Sequence, residues 1–357
     1  MATEPRIIVR EEQVSIAENA ASNVMRSSDY AVIGAFDSEI TDLTLVRNAR
    51  EAHTLFGNTA TVGDFKGTDV IDNLFRGVST LLVANITTWS DDDTPVAQTT
   101  LTTEKLEAAL NKLHNERFDT LFIAEELTDA QQAIVSAWLD AEFEAKYCHG
   151  QIAQLSKSTA AAYAASVGQF NNNVYYINTQ QFTARGVTMD LNMSTAYIAG
   201  IIAGLDVDKS LTNKIIDGVT SVSPEYSTAP GEMGATLLNL NVPFIKCRNR
   251  RLQTYYCVNS TLPDELDLYI NRTRDSILND LAVEAYLGEK NNPATENGVT
   301  TLVEGLKKRY IDDLKLISDL TYHTNKSSSK CFDLTIDEML FDDIIDTINL
   351  TYSIGVQ

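Results

Sequence analysis

The feature that most constrains this 357-residue chain is its last segment. Residues 347–357 place Ile348, Leu350, Tyr352, Ile354 and Val356 on one face and the uncharged Thr347, Asn349, Thr351, Ser353 and Gly355 on the other. Strict period-two alternation over ten residues reads as a half-buried strand, yet no further strand follows in sequence to pair with it. A neutral strand of this kind invites pairing with another sheet. The preceding alternation, with Phe332, Leu334 and Ile336 on one face, is the local acceptor strand. At the opposite end Arg6, Ile7, Ile8, Val9 and Arg10 form a short extended segment that reads as an arm. Both termini are therefore candidates for adding a strand to a sheet in another subunit.

Charge narrows the partners. With 28 Lys plus Arg against 49 Asp plus Glu, the net charge of −21 opposes binding to nucleic acid or to an anionic membrane. No stretch approaches the roughly 20 apolar residues of a membrane span, and the start has no basic region followed by an apolar one, so neither membrane insertion nor an export signal is expected. A hydrophobic fraction of 44%, with only 7 Pro and 17 Gly, supports a folded core. Cys148, Cys247, Cys257 and Cys331 are widely separated, with no C-x-x-C pair, so a zinc site is not expected.

The order of elements predicts an α/β opening: a strand at 30–36, a helix at 46–56, a helix at 69–76 and a strand at 80–88. Asp91, Asp92 and Asp93 followed by Pro95 read as a boundary, because adjacent carboxylates repel and proline closes the segment. Beyond it come a helix at 103–115 with Leu106, Leu110 and Leu113 on one stripe, a strand at 120–124, a helix at 128–147, a strand at 150–155, a helix at 159–167 and a strand at 173–178. Repeated βα units imply a small parallel sheet of its own. From 185 the pattern changes to a helix at 194–205, a short helix at 210–218 capped by Ser210, a hairpin at 244–259, and helices at 263–287 and 299–320. The expected division is an N-terminal arm (1–20), the first part of a core (21–95), an inserted outer α/β domain (96–184), a C-terminal α+β domain (185–346) and a strand arm (347–357).

Candidate chemistry is sparse. Neither G-x-G-x-x-G nor a P-loop occurs, and the strand at 120–124 runs into Glu125 and Glu126, whose charge repels phosphate. The four histidines show no H-x-x-x-H pair, and no G-x-S-x-G elbow is present. No cofactor, metal or catalytic residue is assigned; a soluble α/β enzyme whose site assembles from distant residues stays open as the alternative. Gly200 and Gly204 have the small-xxx-small spacing of two closely approaching helices. Lys246, Arg248, Arg250 and Arg251 form the densest basic cluster, read either as a solvated hairpin tip or as a contact for an acidic surface on another protein or a neighbouring copy. Lys307, Lys308 and Lys315 sit on the mixed-sign face of the 299–320 helix.

Three stretches resemble the contractile tail sheath family of contractile phages, phage-like bacteriocins and related injection systems. Residues 193–214 (MSTAYIAGIIAGLDVDKSLTNK) resemble its helix followed by an S-L-T segment. Residues 269–292, with Asp275, Leu278, Asp280, Leu281 and then YLGEKNN, are similar to its long helix and Leu-Gly loop, and 345–354 (IDTINLTYSI) to its closing strand. The resemblance spans 185–357 and, less fully, 20–90, with 96–184 as the family's variable outer domain; the acid-rich stretch 337–346 departs from the family pattern. It implies a multidomain α/β and α+β sheath fold with a conserved C-terminal domain. The implied protein is a structural one, not an enzyme: a subunit that polymerises around an inner tube and contracts to drive it through a cell envelope. The implied partners are other copies, the inner tail tube, the baseplate and the tail terminator, with Lys307, Lys308 and Lys315 as possible tube contacts. Assembly is expected in the bacterial cytoplasm, followed by release as part of a tail or phage-like particle. A tube or baseplate protein of the same machines is a further reading, although tube subunits are shorter and richer in β-structure.

Overall fold

The computed structural model describes residues 29–57, 64–91, 94, 96–114, 116–146, 151–154, 157–170, 174–207, 209–249, 254–259, 268–281, 292–328 and 331–341. The chain divides into two compact units, whose described residues are 29–281 and 292–341. Both terminal arms, 6–10 and 347–357, lie outside the described residues.

The first unit opens with β1 (Asp29–Gly34), β2 (Thr44–Val46), α1 (Ala49–Phe56), α2 (Lys66–Leu74) and β3 (Thr80–Asn85). A ribbon of β4 (Thr88–Trp89) and β5 (Ala97–Gln98) leads to α3 (Thr103–Leu113), β6 (Thr120–Ile123) and α4 (Asp129–Lys146). The sheet order is β2-β3-β1-β6, with β1 parallel to both β3 and β6 and β2 antiparallel at one edge. Parallel strands covered on both faces read as continuous apolar runs, and β1 fits: only Asp29 of its six residues is exposed. Tyr30, Val32, Leu81, Val83 and Phe122 pack towards Phe56 and Leu74 on one side. Ala31, Ile33, Leu121 and Ile123 pack against Leu106, Leu110 and Leu113 of α3 and Val135 and Leu139 of α4 on the other.

The expected boundary at 91–95 therefore cuts through this unit. Tyr30 to Ile33 pair with Thr120 to Ile123, and α3 and α4 supply one entire cover of the first sheet. Asp91 follows the first strand of the β4–β5 ribbon, in which Thr88 pairs with Gln98; Asp92, Asp93 and Pro95 lie outside the described residues. The residues on either side of the acidic sequence belong to one compact unit.

Next come β7 (Gln151–Gln154), α5 (Ala160–Val167), β8 (Val174–Asn178), β9 (Gln181–Ala184), β10 (Val187–Thr188), α6 (Leu191–Gly204) and β11 (Val219–Ser223). β7 and β8 are parallel, and β10-β9-β11 form an antiparallel sheet. α6 is capped by Asp190, whose carboxylate accepts from the Met193 N–H at 2.8 Å. The short helix expected at 210–218 is a run of turns. Asn213 and Gly218 adopt left-handed φ values of 59° and 79°, and the Ser210 hydroxyl accepts from Thr212 N, two residues on, closing a turn instead of capping a helix. The unit ends with α7 (Met233–Asn239), the antiparallel hairpin of β12 (Ile245–Asn249) and β13 (Thr254–Cys257), and α8 (Leu268–Asp280).

In the second unit α9 (Pro293–Lys307) is capped by Asn292, whose side chain accepts from Ala294 N and Thr295 N at 2.8 and 3.3 Å. The helix expected to run to 320 ends sooner. It widens into a π-turn over Lys308–Asp313, where Leu314 N donates to Arg309 O, and Lys315 stops it at φ 53°. The widened turn keeps Tyr310 buried while the chain reverses. β14 (Asp319–Ser328) then pairs antiparallel with β15 (Cys331–Leu340). Leu320, expected at the end of the helix, is instead a buried residue near the start of β14.

Candidate assembly surface

The carboxyl ends of β1, β3 and β6 are where an open α/β sheet holds a ligand. Here the crevice is filled by the chain. Asn85 Oδ1 accepts from Phe36 N and Thr87 N at 3.1 and 2.9 Å, while its amide donates to Ser38 O and Ile40 O at 2.9 and 3.0 Å. The Thr87 hydroxyl donates to Phe36 O at 2.8 Å. Gly67 N donates to Ala35 O at 2.8 Å, and a Cβ on Gly67 would stand 2.5 Å from the Phe36 ring. Glu125, at the end of β6, is half-buried, and burial pushes its carboxyl up to about 7; nearby Lys66 opposes this shift and Asp190 adds to it. Lys66 Nζ lies 3.3 Å from Asp190 Oδ2 and ties α2 to the start of α6. Among the described residues no group of three or more His, Cys, Asp or Glu side chains is placed to hold a metal ion, and no helix is long and apolar enough to cross a membrane.

The second unit carries the sequence-assigned acceptor strand. In β15, Leu334 pairs with Thr324 and Ile336 with Tyr322; both apolar side chains are half-buried. Phe332 lies in the same strand. Among the described residues β14 and β15 pair only with each other, so each keeps one edge without a strand beside it. The Tyr322 hydroxyl donates to Glu304 Oε1 at 2.9 Å, which fastens the hairpin to α9; burial, with that bond, raises the hydroxyl pKa. His323 Nδ1 and Asp337 Oδ1 stand 2.6 Å apart across the two strands. A polar groove between α9 and β14 is lined by Thr300, Glu304, Lys307, Thr321, Tyr322 and His323.

The three lysines assigned to one helix face do not share one. Lys307, in the last turn of α9, lies 3.9 Å from Asp319. Lys308 is exposed at the start of the π-turn, and Lys315 is exposed beyond it in the left-handed turn. Sequence reading missed β14, the strand that pairs with β15. Its signal was Thr321, Tyr322 and Thr324, residue types favoured in strands, masked because Leu314 and Ile317 extend the helical period of α9.

Residues 99–260 match the family of the phage tail sheath protein central domain. That span includes most of the 96–184 block expected to be variable. The fold is similar to that of a sheath tail protein from Desulfitobacterium hafniense, with a TM-score of 0.63 and 13% identity over 91% of this chain and 100% of that one. It is similar to a sheath tail protein from Listeria innocua at a TM-score of 0.63 and 12% identity, over 88% and 96% of the two chains. A chain in the cryo-EM structure of the anti-feeding prophage helical sheath in the contracted state matches with a TM-score of 0.66 and 14% identity, covering 99% of both chains. No curated protein matches the chain in sequence.

Proposed function

We propose that the chain is a subunit of a contractile tail sheath, the family whose central domain residues 99–260 match, and that its copies stack as rings around an inner tube and shorten together to drive the tube through a target cell envelope. The observation that carries this reading is the β14–β15 hairpin, a ten-residue-by-ten-residue ribbon with two open edges among the described residues. An isolated two-stranded ribbon is marginal in water and gains stability from added strands. Arms 6–10 and 347–357, carrying Arg6 to Arg10 and Ile348, Leu350, Tyr352, Ile354 and Val356, are the strands we assign to it, each entering the hairpin of a neighbour.

Backbone hydrogen bonds contribute about 0.5–1.5 kcal/mol each, so several per arm form a link that survives rigid-body motion while side-chain contacts elsewhere are exchanged. Small repacking at many identical interfaces then sums to a large stroke. The role is structural and needs no catalytic residue or cofactor, and the filled crevice at the end of the first sheet favours it over the enzyme alternative. The tube, the baseplate and the tail terminator are its partners, with exposed Lys308 and Lys315 available to acidic groups on the tube. Subunits assemble in the bacterial cytoplasm and leave as part of the particle.

Expressing the full chain with and without its tube protein and imaging the product by electron microscopy tests the proposal. Helical cylinders of stacked rings are expected. A monodisperse monomer under every condition, with or without tube, contradicts it.

A further inference from the structure

We propose that the outer face of the β12–β13 hairpin docks a carboxylate-bearing segment of a second copy of this chain. The proposal rests on the self-assembly reading for the identity of that copy. The register separates two faces. Ile245 pairs with Cys257 and Cys247 with Tyr255, and this face turns into the core: Ile245 and Cys257 are wholly buried. Lys246 pairs with Tyr256 on the opposite face. A single antiparallel bridge sets Ile215 beside Tyr256 as a third member of that row. Ile215 is 58% exposed, one of the few large apolar side chains left in solvent.

The cations at this hairpin have no acidic partner among the described residues. The Arg248 guanidinium stacks 4.3 Å from the centre of the Tyr256 ring and reaches Asn213 Oδ1 at 3.5 Å. Lys246 Nζ donates to Thr228 Oγ1 at 2.9 Å, and Lys214 next to Ile215 is exposed. Among the described residues no carboxylate lies within ion-pair distance of Lys214, Lys246 or Arg248, whereas Lys66, Lys157 and Lys307 each have one. Carboxylates outnumber cations 49 to 28 in this chain, so three cations without an acidic partner among the described residues mark a surface able to take counter-charge from outside. Arg250 and Arg251 follow in the same hairpin sequence.

The chemistry of the row selects the occupant. A guanidinium held over a tyrosine ring presents a fork that pairs with a carboxylate through two hydrogen bonds. The adjoining Ile215 and Tyr256 supply apolar and aromatic surface that excludes water around the pair, the composition found at the centre of protein interfaces. Nucleic acid would offer anions too, but a surface of net charge −21 repels it outside this small patch. Another copy, with the same excess of carboxylates and present at the highest local concentration in any array, is the complementary partner.

Ile215 replaced by the photo-reactive amino acid p-benzoylphenylalanine in the full-length chain provides the test. Irradiated assemblies are analysed by mass spectrometry, with circular dichroism confirming that each variant is folded. A chain-to-chain cross-link to a peptide containing Asp or Glu is expected, lost in Arg248→Glu and retained in Asn213→Ala. Cylinders without a cross-link at position 215, or a cross-link undiminished by Arg248→Glu, overturn the docking surface and leave the sheath reading intact. A cross-linked dimer in a protein that never forms cylinders supports the docking surface and counts against the sheath reading instead.

Discussion

Alanine at Gly200 and at Gly204, two positions one helical turn apart, should have opposite effects. The end of α2 and the loop after it cross α6 at Gly77, Gly200 and Gly204. A Cβ built on Gly200 would stand 2.0 Å from Asn73 O and 3.1 Å from Arg76 Cβ, whereas one on Gly204 would meet only Gly77 Cα, at 3.4 Å. The first contact is with backbone, so α2 itself must retreat by about 1 Å, a shift that close-packed interiors resist. Overpacking costs about 1–3 kcal/mol, and a clash with a carbonyl falls at the upper end. Gly to Ala in a helix interior returns about 1 kcal/mol. Gly200→Ala should therefore lose about 2 kcal/mol, and Gly204→Ala, at the last residue of α6, should gain about 0.5 kcal/mol or less from the same propensity. The displacement also disturbs Arg76, which lies 4.1 Å over the Tyr197 ring, and the Asn73 amide bond to Met193 O at 3.4 Å. Guanidinium unfolding of the unassembled protein, followed by near-ultraviolet circular dichroism, reads both variants. Gly200→Ala as stable as the parent, or both alanines falling equally, would refute the close-packing argument.

Further outcomes follow from the first sheet, the crevice and the lysines. Excising 96–184 with a Gly/Ser bridge should yield an insoluble chain, because it removes β6 and the α3 and α4 cover of β1; a soluble, cooperatively unfolding product would restore the outer-domain boundary. Glu125 holds its proton more tightly folded than unfolded, so its contribution to stability falls as pH rises from about 4.5 to about 7. Glu125→Gln should leave stability unchanged below pH 4.5 and raise it by about 2 kcal/mol above pH 7; a pH-independent difference in urea titrations would rule the burial argument out. Lys308→Glu with Lys315→Glu should weaken co-sedimentation with tube protein while sheath-only polymers persist, and unchanged tube binding would remove these lysines from that contact.

Much of the first unit was legible in sequence. The buried run of β1, the Leu106, Leu110 and Leu113 stripe of α3 and the hairpin over 244–259 all appear where period and turn chemistry placed them. The misplaced boundary has one physical origin: local signals do not report long-range pairing. Three aspartates look like a domain break, yet nothing local reveals that β6 hydrogen-bonds to β1, some ninety residues earlier. Ser210 looks like a cap, but left-handed Asn213 and Gly218 turn the chain instead. The helical period beginning in α9 extends through Ile317, past the π-turn, and hid β14, the strand that pairs with the segment carrying Phe332, Leu334 and Ile336.

Truncation after Asp346 tests strand addition most directly. The shortened protein should remain folded and soluble, with the far-ultraviolet spectrum of both units retained, yet form no rings or cylinders under the electron microscope at concentrations where the full chain polymerises. Regular cylinders built from the truncated chain would contradict the claim that 347–357 links one subunit to the next.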